Sequence, residues 1–488
     1  MDLNTMPQAG RPEPGSRHEV TVERVAALGR GVARLEGLTV LASRAIPGER
    51  VTVELEQVRP RHALGRVVAV HSPAPERVTP PCAHYAECGG CDWQHVAYPT
   101  QVIFKRQVLL EQLERIGGVS LPVAFTLHPA EPTLAYRDKL EFVPVSAAEG
   151  GVPRPGFAGL ADQTRVAVDP CLLAPPEYTR LAAAALAALA RAGMPDPMRT
   201  VRRLTVQGTL GADGAPALAL TLHMADASAL AAAGERREPL LEGLRQSGIA
   251  VALVGLSAPG RGHAGPMRRN LLGPEWLIKG LGDWRYRAPA GGFFQVHPAQ
   301  AAPLVAHVTD AVAGGARPDN ARGGPAEAQG NPGLVLDLYC GVGLFSLPLA
   351  ALGVPVAGVE WDAGAVKAAV ENEKTARKAG QIPKKVPLSF ERRNLEQPEV
   401  FPRLVKRHGS PRVVLLDPPR RGLPESLIRA LLAQGPERIV YVSCDGGTFA
   451  RDAARLAARY RLEGLRGFDL FPHTHHLEVV GVFTLVPG

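Results

Sequence analysis

Between His18 and His71 apolar and polar residues alternate in short runs, at 19–23, 31–35, 51–55 and 65–70. Successive side chains of a strand point to opposite faces, so this period of two predicts half-buried strands. Turn residues such as Ile46-Pro47-Gly48-Glu49 separate them. Several strands in so short a stretch predict a small OB-like β-barrel over 18–72, an architecture that serves both as a nucleic-acid platform and as a plain structural module. Residues 1–17 are polar and read as a flexible tail. A helical period over 100–116 places Val102, Ile103, Leu109, Leu110 and Leu113 on one face. The rest of 73–290 mixes strand-like runs (201–206, 217–222, 251–256) with alanine-rich helices, which predicts a central α+β domain. From Leu334 the rhythm becomes regular, with apolar strand cores at 334–338, 355–359, 412–416 and 438–442 and helical stretches between. That alternation predicts an α/β domain over 291–488 with a parallel, Rossmann-like sheet and right-handed crossovers. A stretch rich in Gly, Pro and Ala at 317–332 reads as a loop inside it.

Composition changes this picture little. The 488 residues, 45% of them hydrophobic, are enough for about three cored domains. Lys and Arg number 55 against 47 Asp and Glu, a net +8 that suits a polyanionic partner without requiring one. No apolar run marks the first fifteen residues, and the greasiest stretch, 181–190, is short and alanine-rich. A cytoplasmic, membrane-free protein is the expectation. In that compartment six cysteines suggest metal binding or catalysis before disulfides.

The chemistry concentrates at the ends of the C-terminal strands, where open α/β sheets place their ligands. One run ends in Asp417-Pro418-Pro419-Arg420 and the next in Ser443-Cys444-Asp445. A thiol there is placed to act as a nucleophile if its surroundings orient it. The first strand of the unit leads into Asp337-Leu-Tyr339-Cys340-Gly341-Val-Gly343, and Glu360 closes the next. Two glycines let the backbone approach a ligand, and an acidic residue at that spacing can bond ribose hydroxyls. The third glycine of a dinucleotide loop is absent, since Ser346 holds its place. A nucleoside cofactor without a pyrophosphate fits, with S-adenosylmethionine the candidate, and Asn394 and Asp417 add polar groups near later strand ends. Amino-group methylases follow such an Asp-Pro-Pro with an aromatic residue and RNA cytosine-5 methylases with a cysteine. Arg420 argues against both. Upstream, Cys82, Cys88 and Cys91 lie within ten residues, and Cys171 could complete a set of four. Four thiols suit zinc or an iron–sulfur cluster on ligand type, and the three-plus-one spacing leans toward the cluster.

Taken together, Gly292-Phe-Phe-Gln295-Val, Asp337-Leu-Tyr-Cys-Gly, Asp417-Pro-Pro-Arg, Val442-Ser-Cys444-Asp and His476-Leu-Glu478-Val-Val resemble, in the same order, the RNA uracil-5-methyltransferase family. The 18–72 barrel is similar to a TRAM domain, and barrel plus cysteines resemble the branch that acts on large-subunit (23S) ribosomal RNA. The resemblance implies Cys444 as nucleophile on uracil C6 and Glu478 as the base that removes the C5 proton. It implies Gln295, Tyr339, Gly341, Glu360, Asn394 and Asp417 as contacts of S-adenosylmethionine, and Cys82, Cys88, Cys91 and Cys171 as ligands of a 4Fe-4S cluster with a structural role. Arg137, Lys139 and Arg420 become candidate RNA contacts, while His473, His475 and His476 are expected in a solvated loop. Two positions depart from the family's pattern, Leu344 and His297 standing where asparagine is common. A monomer acting on ribosomal RNA is the expectation. Transfer RNA as substrate, or a non-catalytic RNA-binding iron–sulfur protein, are the alternatives.

Overall fold

The computed structural model describes residues 12–119, 125–147, 151–160, 163–194, 196–211, 213–260, 267–314 and 333–487. Most of the expected tail and the whole 317–332 stretch lie outside these.

Strands β1 (Arg17–Val25), β2 (Gly31–Leu35), β3 (Leu38–Ser43), β4 (Arg50–Val58) and β5 (His62–Ser72) close into a barrel in the order β1-β2-β3-β5-β4. Alternation is what closes it: Val20, Val22, Val40, Ala42, Val51, Val53 and Leu55 point inward and fill it, as a small barrel requires. The strand over Leu38–Ser43 was not among the runs picked out by alternation.

Helix α1 (Tyr98–Arg115) starts on Pro99, whose missing N–H costs nothing there. Its buried face differs from the expected one. Leu109 and Leu113 are inside, but so are Gln101 and Lys105, while Ile103 is exposed. Two polar residues turn inward because they have partners waiting, described below. After α1 comes β6 (Thr126–His128), which pairs in parallel with a strand near the C-terminus. The stretch from α1 to β6, placed by sequence in the central region, thus packs on the last domain.

The central sheet runs β13-β12-β11-β10-β7-β8-β9, built from β7 (Lys139–Val145), β8 (Arg154–Ala158), β9 (Arg165–Ala167), β10 (Val201–Leu210), β11 (Pro216–Met224), β12 (Val251–Ala258) and β13 (Met267–Leu272). Helices α2 (Pro176–Arg191), α3 (Pro197–Thr200), α4 (Ala227–Glu235) and α5 (Arg237–Arg245) accompany it. In α2 the alanine-rich run buries Leu181, Ala182, Ala185, Leu186 and Leu189 in this core. Among the described residues no helix is long and apolar enough to cross a membrane. A hairpin, β14 (Trp276–Leu281) and β15 (Trp284–Pro289), leads into α6 (Pro298–Ala313).

The last sheet is ordered β18-β17-β16-β19-β20-β22-β21-β6. Its strands are β16 (Val335–Leu338), β17 (Val356–Glu360), β18 (Leu388–Arg392), β19 (Val413–Leu416), β20 (Arg438–Ser443), β21 (Tyr460–Phe468) and β22 (Glu478–Leu485). Between them lie α7 (Ser346–Ala351), α8 (Ala363–Lys378), α9 (Val400–His408), α10 (Glu425–Gln434) and α11 (Gly446–Leu456). Strands β16 to β20 are mutually parallel and β22 runs antiparallel to β20. The C-terminal ends of β16, β17, β19 and β20 therefore gather at one edge, and β22 begins at that same edge.

Candidate functional site

The β20–β22 register pairs Ser443 with Val479. One step further along the two antiparallel chains stand Cys444 and Glu478. Glu478 is buried, and burial first, then the Asp417 carboxyl, hold its proton well above the usual carboxylate range, against the pull of Arg420. Burial likewise raises the Cys444 thiol to about 12; Glu478 adds to this, and Arg420 opposes it. Cys444 precedes the N-terminus of α11, whose cap is Asp445 accepting the Thr448 N–H at 2.7 Å. The strand-end position is what sets the Cys444 thiol at the open edge of the sheet.

Arg420 is carried by the loop after β19, which is tied to α11. Thr448 Oγ1 donates to the Arg420 carbonyl at 2.9 Å, and Arg451 donates to the Arg421 carbonyl at 2.8 Å. The Arg420 guanidinium lies 3.2 Å from His476 Nε2. His475 and His476 rings sit 4.1 Å apart, and His475 Nδ1 lies 2.7 Å from Asp92.

These histidines are not in a solvated loop. His473 is buried and burial lowers it to about 4; burial lowers His476 to about 3. The segment 469–476 is gripped by the cysteine-bearing segment and α1. The Asp92 and Trp93 N–H groups donate to the His473 carbonyl at 2.9 and 3.0 Å. Gln101 accepts the His473 N–H at 2.9 Å. Lys105 donates to Asp469 at 2.6 Å, both side chains being fully buried, and to the Phe471 carbonyl at 3.0 Å. Asp92, Gln101, Lys105 and Asp469 were missed in the sequence, where each reads as an ordinary polar residue. The buried side of α1 is the signal that reveals them.

On the other side of the edge lies a polar cradle. Tyr339 holds a φ of 67° and Gly341 one of 56° in the loop after β16. The Gly341 N–H donates to Glu360 Oε2 at 3.1 Å, while Glu360 Oε1 accepts from Trp361 and Asp362 at 2.6 and 2.8 Å. Asp337 bonds Ser346, which explains the serine in place of a third glycine. Burial raises Asp337 to about 7 and Asp417 to about 8, each helped by neighbouring carboxyls. Among the described residues, Asp337 Oδ1 and the Tyr339 hydroxyl are buried without a hydrogen-bond partner. The Asp337 carboxyl, near Glu360 and Asp417 at the strand ends beside a glycine loop, fits a nucleoside cofactor bearing a cationic sulfonium. Asn394 and Trp361 line an adjoining hollow with Arg392 and Arg403. Gln295 is buried just before α6.

The departures from the family's pattern are absorbed by packing. Leu344 is buried in the apolar core and its carbonyl accepts from Tyr286. His297 stacks on Tyr136 with ring centroids 4.6 Å apart, and its Nε2 lies 3.1 Å from the Pro132 carbonyl. Arg137 is half-buried beside Tyr136, and Lys139 pairs with Glu141 at 2.8 Å. Both line the cavity described next.

Cys82, Cys88, Cys91 and Cys171 line one cavity of about 490 Å³, which continues past Phe293 to Arg420 and His476. Cys340 and Cys444 are outside it. Among the described residues no group of three His, Cys, Asp or Glu side chains is placed to hold a single metal ion. The thiol set still fits a larger group. The Gly90 N–H points at Cys88 Sγ at 3.4 Å and the Gln94 amide at Cys91 Sγ at 3.2 Å. Burial lifts Cys91 to about 12 and Cys171 to about 11, so these two thiols need a cationic partner to ionise.

Residues 11–68 match the TRAM domain, and residues 326–485 match the family described as tRNA (uracil-5-)-methyltransferase. Over 483 residues the chain is 30% identical to an uncharacterised RNA methyltransferase of Thermosynechococcus vestitus, covering 97% of this chain and 99% of the relative. The chain belongs to the RNA uracil-5-methyltransferase family. An uncharacterised RNA methyltransferase of Gloeobacter violaceus is 30% identical over 512 residues, with 96% and 98% covered. The tRNA (uracil-54, C5)-methyltransferase of Pyrococcus abyssi, solved with S-adenosyl-L-homocysteine, superposes with a TM-score of 0.69. At 22% identity, over 95% of this chain and 99% of that one, it shows that this member of the family shares the fold. The protein is thus an RNA methyltransferase with an N-terminal TRAM barrel and a methyltransferase sheet.

Proposed function

We propose that the enzyme methylates C5 of a uridine in 23S ribosomal RNA, using S-adenosylmethionine, through a covalent adduct between Cys444 and the base. The observation that carries this is the β20–β22 register, which sets Cys444 beside Glu478 at the open edge of the sheet. Uracil C5 is a weak nucleophile, so it must be activated from C6. Cys444 gives its thiol proton to solvent, its Sγ bonds to C6, and the C5–C6 π electrons move toward C4–O to leave an enolate. Arg420, close to both groups, favours the anionic forms. S-adenosylmethionine supplies the electrophilic methyl group that C5 then takes. Glu478, as carboxylate, takes the C5 proton, the C5=C6 bond re-forms as the C–S bond breaks, and 5-methyluridine is released with Cys444 as thiolate, which regains its proton from solvent. Its high proton affinity suits that step. Asp337, Tyr339, Gly341, Glu360, Asn394, Asp417 and Gln295 would hold the cofactor. The uridine must leave its stack to reach Cys444.

Cys82, Cys88, Cys91 and Cys171 would hold a 4Fe-4S cluster. Zinc–sulfur bonds of about 2.3 Å would draw tetrahedral thiolates to roughly 3.8 Å from each other. Methyl transfer moves no net electrons, so the cluster's role in this reading is structural.

Labelled methyl transfer to unmodified 23S rRNA and, separately, to unmodified tRNA tests the proposal. 5-Methyluridine in rRNA alone is expected. 5-Methyluridine in tRNA alone, the substrate in the name of the Pyrococcus enzyme, would overturn the acceptor but not the chemistry.

A further inference from the structure

Two large apolar side chains flank the candidate catalytic centre in solvent. Phe293 is 70% exposed and Leu28 is 66% exposed. Phe293 lines the larger cavity with Arg420 and His476. Leu28 lines a small one, about 60 Å³, with Cys444, Asp445 and the same His476. Phe293 belongs to the C-terminal motif set, whereas Leu28 is brought from the barrel by the turn joining β1 and β2.

That turn is built to hold Leu28 out. Leu28 has φ 62° and ψ 18°, a left-handed conformation that a leucine adopts only when its surroundings enforce it. The enforcement is visible. Trp93 Nε1 donates to the Gly29 carbonyl at 3.0 Å, and the Ala26 N–H donates to the Arg30 carbonyl at 2.8 Å. A β-carbon on Gly29 would lie 3.1 to 3.2 Å from Trp93, Asp92 and His475. The turn therefore presses onto the segment that carries His475 and His476, and its apolar side chain projects beside the thiol. Removing a base from a stack leaves a gap, and proteins fill such gaps with apolar side chains inserted between neighbouring bases.

We propose that Leu28 enters the RNA stack beside the extracted uridine, so that the barrel supplies part of the base-flipping machinery. This rests on the RNA-methylating reading above. The test uses the full-length enzyme and whichever transcript, 23S rRNA fragment or tRNA, the wild type methylates. 2-Aminopurine is placed next to the target uridine, and the single-turnover rate is read together with its fluorescence. Wild type should give a fluorescence jump as the neighbour unstacks. Leu28→Ala should lower both the jump and the rate, the rate on the order of tenfold, with RNA affinity and melting temperature little changed. Leu28→Met should restore both. An unchanged jump in Leu28→Ala, with or without a slower rate, overturns the wedge. A wild type that transfers methyl to neither RNA overturns this inference together with the reading on which it rests.

Discussion

Asp92 and His475, 383 positions apart in the chain, meet at 2.7 Å, and Asp92 also accepts the His475 backbone N–H at 3.0 Å. Asp92 follows Cys91, and His475 precedes His476, which touches Arg420. One carboxylate thus joins the cysteine-bearing segment to the strand-end loop that leads into Glu478. Replacing it removes the one oxygen that both His475 contacts share, in a half-buried site. Asp92→Ala should cost about 1–3 kcal/mol, read as a lowered midpoint in urea. It should also depress methyl transfer while leaving S-adenosylhomocysteine binding near wild type, because the cofactor cradle lies on the other side of the edge.

The Lys105–Asp469 pair is fully buried, so breaking it strands a charge. Lys105→Met should destabilise by roughly 3–5 kcal/mol. Adding Asp469→Asn removes the stranded charge and keeps one oxygen to accept the Phe471 N–H, while its NH2 can donate to the Tyr98 hydroxyl oxygen, both contacts being 3.0 Å with Asp469. The double variant should therefore be more stable than Lys105→Met alone. A double variant with the summed loss of the two singles would show the pair to be uncoupled.

Glu478 is held in an unfavourable place for a carboxylate. Its folded proton affinity is raised above that of the unfolded chain. The native state therefore keeps a proton that the unfolded state has released, and stability falls as pH rises above the unfolded value. Glu478→Gln should remove that penalty. Its melting temperature should exceed wild type by about 2–4 °C at pH 8, with a smaller difference at pH 5, while turnover is lost. The variant should also trap a protein–RNA adduct that survives denaturation. Normal turnover without an adduct would exclude Glu478 as the base.

Cys444 has its thiol raised to about 12, with Arg420 the basic neighbour acting against burial. At pH 7 to 9 the RNA-free enzyme should be alkylated at Cys444 far more slowly than an ordinary thiol, since the thiolate reacts. Arg420→Ala removes the neighbour that lowers the value, so its alkylation–pH profile should move to still higher pH, and Arg420→Lys should move it less. A profile shifted downward by Arg420→Ala would contradict this electrostatic assignment.

For the cysteine set, Cys88→Ser should abolish the brown absorbance expected of anaerobically purified wild type. Colourless, iron-free wild type binding one zinc would overturn the cluster in favour of a single ion.

The period-two alternation from 18 to 72 and the regular β-α-β rhythm after 334 made the barrel and the parallel sheet legible, because burial of one strand face or of a whole strand imprints itself on neighbouring residues. Short motifs at strand ends likewise marked Cys444, Asp417, Tyr339 and Glu360, since a parallel sheet sends those ends to one edge whatever the loops do. Other features are not local. Gln101 and Lys105 face inward in α1, against its apolar period, because their partners lie in residues 469–473. His473 is buried, and His475 and His476 half-buried, only because α1 and the cysteine segment close over them. β6 leaves the central region for the last sheet through a three-residue pairing with β21 that no short run of sequence encodes. Sequence by itself determined most barrel strands, the parallel strands, their edge and the chemistry gathered there, since these follow from periodicity and from backbone geometry. Tertiary structure alone decided which polar residues are buried, which charges meet, and that a barrel turn reaches the thiol. Each of those depends on partners hundreds of residues away, and on burial that only the closed fold creates.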